Sequence, residues 1–414
     1  MRHFYVNAQI IVSLFLFLAS CDRRRKNELV SPIDKNDSLY IIDIDNITKD
    51  KYANFSSYFK SAKTIILETN ENCLINNVSN IRVVDDFIII VDNDQHPGGI
   101  FVFDRTGHFI HKIGKVGQGL GKYVYVTDVS IDFNKKELYL FDSYNNRINR
   151  YDIKTARFIS SMNIHDKGLG ISYINFIDNE IFANAIPYSK TEDSFLLQKI
   201  DKSTGKRMNS YLKSSEYNRG WNELLLRTGG FFYPVTNTNS KYVEMFMDTI
   251  ISIEKESIKP FLAFKAKNWI TSKDIDELIK CQEEGNESSC HRILFEKDIS
   301  YNINHYFETE SMIGFQYYSN MGMPYVMYDK VTNTVRTTDL FQDDIVFDVD
   351  GVILTTFAFS DSKGVYGYVK TDQIQFLLDF LHAGKVNANL GKIDDLRRLT
   401  EDSNPVIFYY ESLR

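Results

Sequence analysis

A β-propeller, an all-β fold, is what this sequence predicts, and three observations predict it. A strand–turn–strand unit recurs at positions 104, 152 and 201, 48 and 49 residues apart, which is the period of a four-stranded antiparallel blade. Short apolar runs bounded by Asn, Asp and Gly fill the intervals, as expected of strands between tight turns. The chain is rich in Phe (30) and Tyr (25) and poor in Pro (7), a balance that suits pleated, laterally packed sheets. With 414 residues, 43% of them hydrophobic and 25% charged, the chain can bury a sizeable core. Its formal net charge is −7, with no basic cluster in the folded part. A nucleic-acid backbone is therefore excluded as the expected partner.

The fold does not begin at the first residue. Met1-Arg2-His3 is a short basic start, and Ile10 to Leu18 is an apolar run of nine residues, far short of the roughly 20 that span a bilayer. Leu18-Ala19-Ser20-Cys21 follows. Small side chains at 19 and 20 suit a signal peptidase, and the Cys21 thiol is the acceptor that lipid attachment needs. Residues 1–20 are expected to be a lipoprotein signal peptide, Cys21 the lipidated residue, 21–37 a flexible tether and 38–414 the propeller. The tether carries Arg23-Arg24-Arg25-Lys26, which suits anionic headgroups. A basic rather than acidic run after the cysteine favours the periplasmic face over surface display. The expected location is the cell envelope, with the membrane as a partner through the lipid. In that compartment a Cys281–Cys290 disulfide is permitted, with buried or free thiols as the alternative. No Cys/His spacing suggests zinc.

The elements follow in order. Ser38 to Asp45 and Ala62 to Glu68 are expected strands, with a short helix or turn over Tyr52 to Phe59. Phe87 to Val91 is a continuous apolar run, typical of a strand buried on both faces. Asp92-Asn93-Asp94 reads as a polar loop, since the rest of an EF-hand loop is missing. The turn Phe103-Asp104-x-x-Gly107 recurs as Tyr151-Asp152-x-x-Thr155, Ile200-Asp201-x-x-Thr204 and Tyr328-Asp329-x-x-Thr332, with a weaker relative at Asp248. A carboxylate at the first turn position accepts from backbone N–H groups two residues on, so these aspartates are structural. The wide gap between 248 and 329 holds a helical insertion at about 269–312. Thr271 and Asp274 resemble a capping box there, and Ile275, Leu278 and Ile279 form one apolar stripe. A second helix over Thr371 to Leu381 stops at Gly384, and a short one follows near Ile393. Val406 to Tyr410 is expected to close the disc beside N-terminal strands.

These features together resemble the Bacteroidetes six-bladed β-propeller lipoproteins, which are related to NHL-repeat propellers. The matching residues are the lipobox at Cys21, AKTIILET at 62–69, IFVFDRTGHFIHKIGKVGQGLGKY at 100–123, the insertion after Trp269 and SNPVIFYY at 403–410. The resemblance covers nearly the whole mature chain. It departs at Gly119-Leu120-Gly121-Lys122-Tyr123, where that family is expected to have Gly-Pro-Gly-Glu-Tyr, so no role of that Pro or Glu carries over. The resemblance implies architecture and anchoring, and no activity.

The chemistry is sparse. The loop from Gly114 to Gly121 lacks the Lys-Ser/Thr pair and the following helix of a phosphate loop. His108 and His111, three apart on a strand, point to opposite faces. Neither GxSxG nor HExxH occurs, so no catalytic residue and no metal ligand is assigned. The preferred reading is a non-catalytic binding or scaffold module for a glycan, peptide or envelope protein, more in keeping with this chain than an enzyme. Aromatic faces stack on sugars and amides bond hydroxyls, which singles out Tyr123, Tyr144, Asn146, Arg147, Arg219, Trp221 and Tyr318. The Gly114–Tyr123 loop is expected on the face or channel rim. The alternative is a calcium-dependent hydrolase or lyase, with calcium held in the channel by Asp, Glu and Asn from several blades; otherwise no cofactor is expected.

Overall fold

Residues Phe87 to Val91 show what the recurring unit builds. In the computed structural model, which describes residues 33–36, 39–47, 49–93, 98–165, 169–187, 194–221, 232–284, 287–320 and 322–413, they lie in the second strand of a four-stranded antiparallel sheet. That sheet, blade one, comprises Val78–Val84, Phe87–Asp92, Gly99–Asp104 and Phe109–Lys112. Ile88, Ile89, Ile90 and Val91 are all buried, because a blade packs against a neighbour on each face.

Five further blades repeat the plan. Blade two is Asp128–Asp132, Glu137–Asp142, Arg147–Asp152 and Phe158–Asn163. Blade three is Ile174–Ile177, Glu180–Asn184, Phe195–Ile200 and Arg207–Lys213. Blade four is Phe232–Pro234, Asn239–Tyr242, Thr249–Glu254 and Ser257–Lys265. Blade five is Tyr301–Glu308, Met312–Tyr318, Tyr325–Asp329 and Thr334–Gln342. Blade six takes Thr356–Ser360, Gly364–Val369 and Val406–Ser412 from the C-terminal part of the chain.

The N-terminal segment wraps this ring. Strand β1 (Ile33–Asn36) pairs with β2 (Leu39–Asp43), which lies parallel to the outer strand of blade four. Strand β3 (Lys49–Asn54) lies parallel to the outer strand of blade five. Strand β4 (Phe59–Ile66) pairs antiparallel with Val406–Ser412 and completes blade six. Closure beside N-terminal strands is therefore as expected. The Lys49–Asn54 strand reaches into the stretch expected as a short helix or turn, Tyr52 to Phe59, which is reduced to a single helical turn at Phe55–Ser57. Ile33–Asn36, placed in the tether by sequence, is also a strand.

The apolar core is a series of seams between blades rather than one centre. Ile89, Val102, Val129 and Leu140 fill the seam of blades one and two. Phe101, Phe103, Ile65 and Ile407 fill that of six and one. Helix α1 (Ser272–Glu283) buries Ile275 and Leu278 in the seam beside blades four and five, and helix α2 (Glu287–Glu296) adds Leu294. The N-terminus of α1 has the expected reciprocal cap: the Asp274 N–H donates to Thr271 Oγ1 and the Thr271 N–H to Asp274 Oδ2. The two helices end at Glu296, and Tyr301 already belongs to blade five. Helix α3 (Ile374–His382) covers blade six with Ile374, Leu377, Leu378 and Leu381.

The recurring aspartates behave as turn residues. Oδ1 of Asp104, Asp152, Asp201 and Asp329 accepts from the N–H of Thr106, Thr155, Ser203 and Val331, at 2.8 to 2.9 Å. Asp248 does not belong with them. It lies between the second and third strands of blade four and pairs with Arg219; the equivalent hairpin of that blade is at Lys255-Glu256. The signal peptide, Cys21, the tether up to residue 32 and the Cys290 side chain lie outside the described residues, so the Cys281–Cys290 pairing does too. Cys73 is a buried free thiol.

Candidate functional site

An antiparallel meander divides its connections between two ends. First-to-second and third-to-fourth turns leave one end of blades one to five, and second-to-third connections and the crossings to the next blade leave the other; in blade six the third and fourth strands are not joined by a turn. The first set is short. The second carries the long segments, among them 266–300 with α1 and α2, and 370–405 with α3. Tyr123, Tyr144, Asn146, Arg147, Arg219, Trp221 and Tyr318 all fall in or beside connections of the second set. They share an end of the ring but not one cavity.

Four of them sit around blade two. The loop from Gly114 to Tyr123, expected on the face or channel rim, leaves that end of the ring and lies across the third strand of blade two. The Lys122 carbonyl accepts from Arg147 Nη2 (2.6 Å) and Asn149 Nδ2 (3.0 Å), and the Gly121 carbonyl from the Tyr151 hydroxyl (3.2 Å). Tyr123 is buried in this seam, and burial pushes its hydroxyl pKa far above the ordinary range. A side chain at Gly114 (φ 67°) would lie 2.9 Å from both Tyr123 and the Tyr151 oxygen, so glycine is required there. Asn146 holds a positive φ of 49°, and its amide donates to the Ile164 carbonyl at 3.0 Å. Tyr144, at 71% exposure, projects from the tip.

The remaining three form a continuous arrangement over blades four and five. Arg219 (φ 61°) donates to the Phe246 carbonyl (2.7 Å) and pairs with Asp248 (2.8 Å). This fixes Phe246, whose ring meets Trp221 edge-on at 5.1 Å and Tyr301 at 5.9 Å. Tyr301 stacks on Tyr318 at 5.3 Å, 14° from parallel. Burial raises the pKa of both hydroxyls, so they stay neutral donors. The run ends at a cavity of about 380 Å³ lined by Arg292, Leu294, Phe295, Tyr301, Ser319 and Asn320. Phe295, on α2, is 66% exposed beside it. Sequence reasoning found Tyr318 but missed Arg292, Phe295, Tyr301 and Asn320. The available signal was Phe295 itself, the last apolar residue before a charged helix end.

A family profile described as a domain of unknown function, DUF4934, matches residues 39–411. The chain belongs to the DUF4934 family. No curated protein matches it. Among solved structures, this DUF4934 chain is similar to a candidate exported protein of Bacteroides fragilis, at 17% identity and TM-score 0.70, over 89% of this chain and 100% of that one. It is also similar to a DUF4221 family member of Bacteroides vulgatus, at 9% identity and TM-score 0.50, over 85% and 96% of the two chains. At such identities the likeness concerns the fold.

Calcium at the axis of the DUF4934 ring would need a converging set of oxygens. That ion takes six to eight oxygens, usually including several carboxylates. The inner strands bring Asp128 within electrostatic reach of the Arg82 guanidinium. Among the described residues no group of three or more His, Cys, Asp or Glu comes together as a metal site.

Proposed function

We propose that this protein is an exported, lipid-anchored and non-catalytic binding module, and that the groove beside Tyr301 takes a saccharide. The observation that carries the reading is the composition of that groove. The exposed Phe295 ring and the Tyr301–Tyr318 stack offer apolar faces to sugar C–H groups. Arg292, Ser319 and Asn320 surround them with donors and acceptors for hydroxyls. A volume of about 380 Å³ lies within the range of small-ligand clefts. The Arg219–Asp248 pair and the Trp221–Phe246 contact hold the aromatic run in place. Export is supported by the signal-like run before Cys21 and by the description of the Bacteroides fragilis neighbour.

A glycan array followed by calorimetric titration tests the ligand. Phe295→Ala is expected to weaken the best array ligand about tenfold, the effect of one good aromatic contact, and Asn320→Ala to weaken it comparably. Silence across the array, or unchanged affinity in both variants, would overturn the saccharide reading. Cell fractionation tests the anchor: Cys21→Ser moves the protein from the membrane to the soluble fraction, and retention in the membrane refutes it.

A further inference from the structure

The first strands of the blades meet around the axis, with contact between blades two and three, three and four, five and six, and six and one. An inner strand has an unpaired edge whose N–H groups need partners. Blade two supplies them to blade three: Asp128 Oδ2 accepts from the Ile174 N–H (2.9 Å) and Ser130 Oγ from the Phe176 N–H (2.8 Å). Asp128 Oδ1 also faces the Asn80 amide at 3.5 Å. Stitching of neighbouring blades accounts for the carboxylate. It does not account for the guanidinium near it.

Arg82, on the first strand of blade one, is 9% exposed. Its Nη1 donates to the Ile81 carbonyl (3.1 Å), and its Nε has no partner among the described residues. A guanidinium carries five N–H donors, and a buried cation with so few bonds is costly. Asp128 of blade two and Tyr233 of blade four, the blade opposite, both lie within electrostatic reach of its guanidinium, which places it towards the axis. The Tyr233 oxygen is met by the N–H groups of His305 and Tyr306. Those groups are turned inward by a bulge, where blade five slips register between Asn304 and Phe307 and His305 holds a φ of 46°. Asn175 of blade three is 2% exposed, and its Nδ2 also has no partner among the described residues. Asn80 and Asn304 leave amide oxygens without partners, again among the described residues. A cation, neutral donors and amide acceptors from four blades thus flank one carboxylate of a fifth that is already engaged.

We infer that the inner strands bind a small hydroxylated carboxylate at the axis of the ring, with the Arg82 guanidinium as the fork that receives its carboxyl group and the axial amides as partners for its hydroxyls. Thermal unfolding of the purified chain, dialysed free of organic acids, tests this with sodium gluconate as the probe and sodium chloride at matched ionic strength as the reference. Gluconate raises the Tm of the wild type saturably and chloride does not. Arg82→Met abolishes that shift. Arg336→Met, which removes an exposed guanidinium on the rim, keeps the shift. No saturable shift in the wild type, or a shift that survives in Arg82→Met, overturns the inference. Calorimetric titration of the wild type decides the matter even where Arg82→Met does not fold: absence of saturable heat with gluconate refutes the site.

Discussion

Asp92, Asp142 and Asn184 occupy one structural position in blades one, two and three. Each is the last residue of a second strand, and each is buried. Their side-chain oxygens accept from the N–H groups of the chain crossing in from the previous blade: Asn76 (2.8 Å), Val124 (3.0 Å), and Ser172 and Tyr173 (2.9 and 2.8 Å). The crossing has no strand neighbour at that point, so without these oxygens the part-buried N–H groups would lose their protein partners. Asp142→Ala is expected to cost about 2–3 kcal/mol in urea denaturation, and Asp142→Asn to cost less, since Asn184 performs the role in blade three. An alanine variant as stable as the wild type would contradict this. These residues were not legible in the sequence, where Asp92 reads as the start of a polar loop. Their partners lie 16 and 18 residues upstream, in segments with no regular pattern. The turn aspartates were legible because their bonds close within two to four residues. Asp201 is the clearest case: hydrogen bonds from the Ser203 hydroxyl and the N–H groups of Ser203 and Thr204 hold its carboxyl pKa down to about 2.

The hairpins that those aspartates open show how an element adapts to its neighbour. Four residues after Asp152, Asp201 and Asp329, the chain takes positive φ at Ala156 (56°), Gly205 (68°) and Asn333 (57°). In blades two and three the pairing slips just before the turn, at Arg150/Tyr151 and Lys199/Ile200, as a bulged hairpin requires. At 205 glycine is forced: a side chain there would begin 1.8 Å from the Asn163 carbonyl oxygen, at the end of the preceding blade. Ala156 has room for its methyl group but adopts the left-handed region at a cost of about 1 kcal/mol. Ala156→Gly is therefore expected to stabilise the protein by about 0.5–1 kcal/mol in the same assay; a loss of stability would show that packing of the methyl outweighs the backbone term. Legibility differs by element type. Helices α1 and α3 announce themselves through caps and 3.6-residue periodicity, whereas β2 is legible as a strand but not its partner, and β3 leaves no local trace, since both pair with strands more than 200 residues away. The groove was half legible for the same reason. Tyr318 lies in a recognisable strand, but its neighbours Arg292 and Phe295 reach it only because α2 packs over blade five.

At the scale of the whole ring, stability rests on a joint that no peptide bond crosses. Blade six takes three strands from the last part of the chain and its fourth, β4, from the first. The pairing runs from Val406 opposite Ile66 to Ser412 opposite Phe59. Phe59, Ile65 and Leu67 are fully buried there and together contribute on the order of 5–8 kcal/mol of apolar transfer, comparable with the whole net stability of an ordinary domain. Strands β2 and β3 differ, since they add parallel edges to blades four and five, which have four strands already. Two truncations separate these roles. A chain that begins at residue 58 loses β1 to β3 but keeps the joint, and is expected to unfold in one cooperative transition at a lower Tm. A chain that begins at residue 70 also loses β4, leaves the Val406–Ser412 edge unpaired and opens the seam of blades six and one. It is expected to show no cooperative transition by calorimetry and to aggregate through that edge. If the shorter chain still unfolds cooperatively near the wild-type temperature, the ring is held by its seams alone, and β4 is a cover rather than a closure.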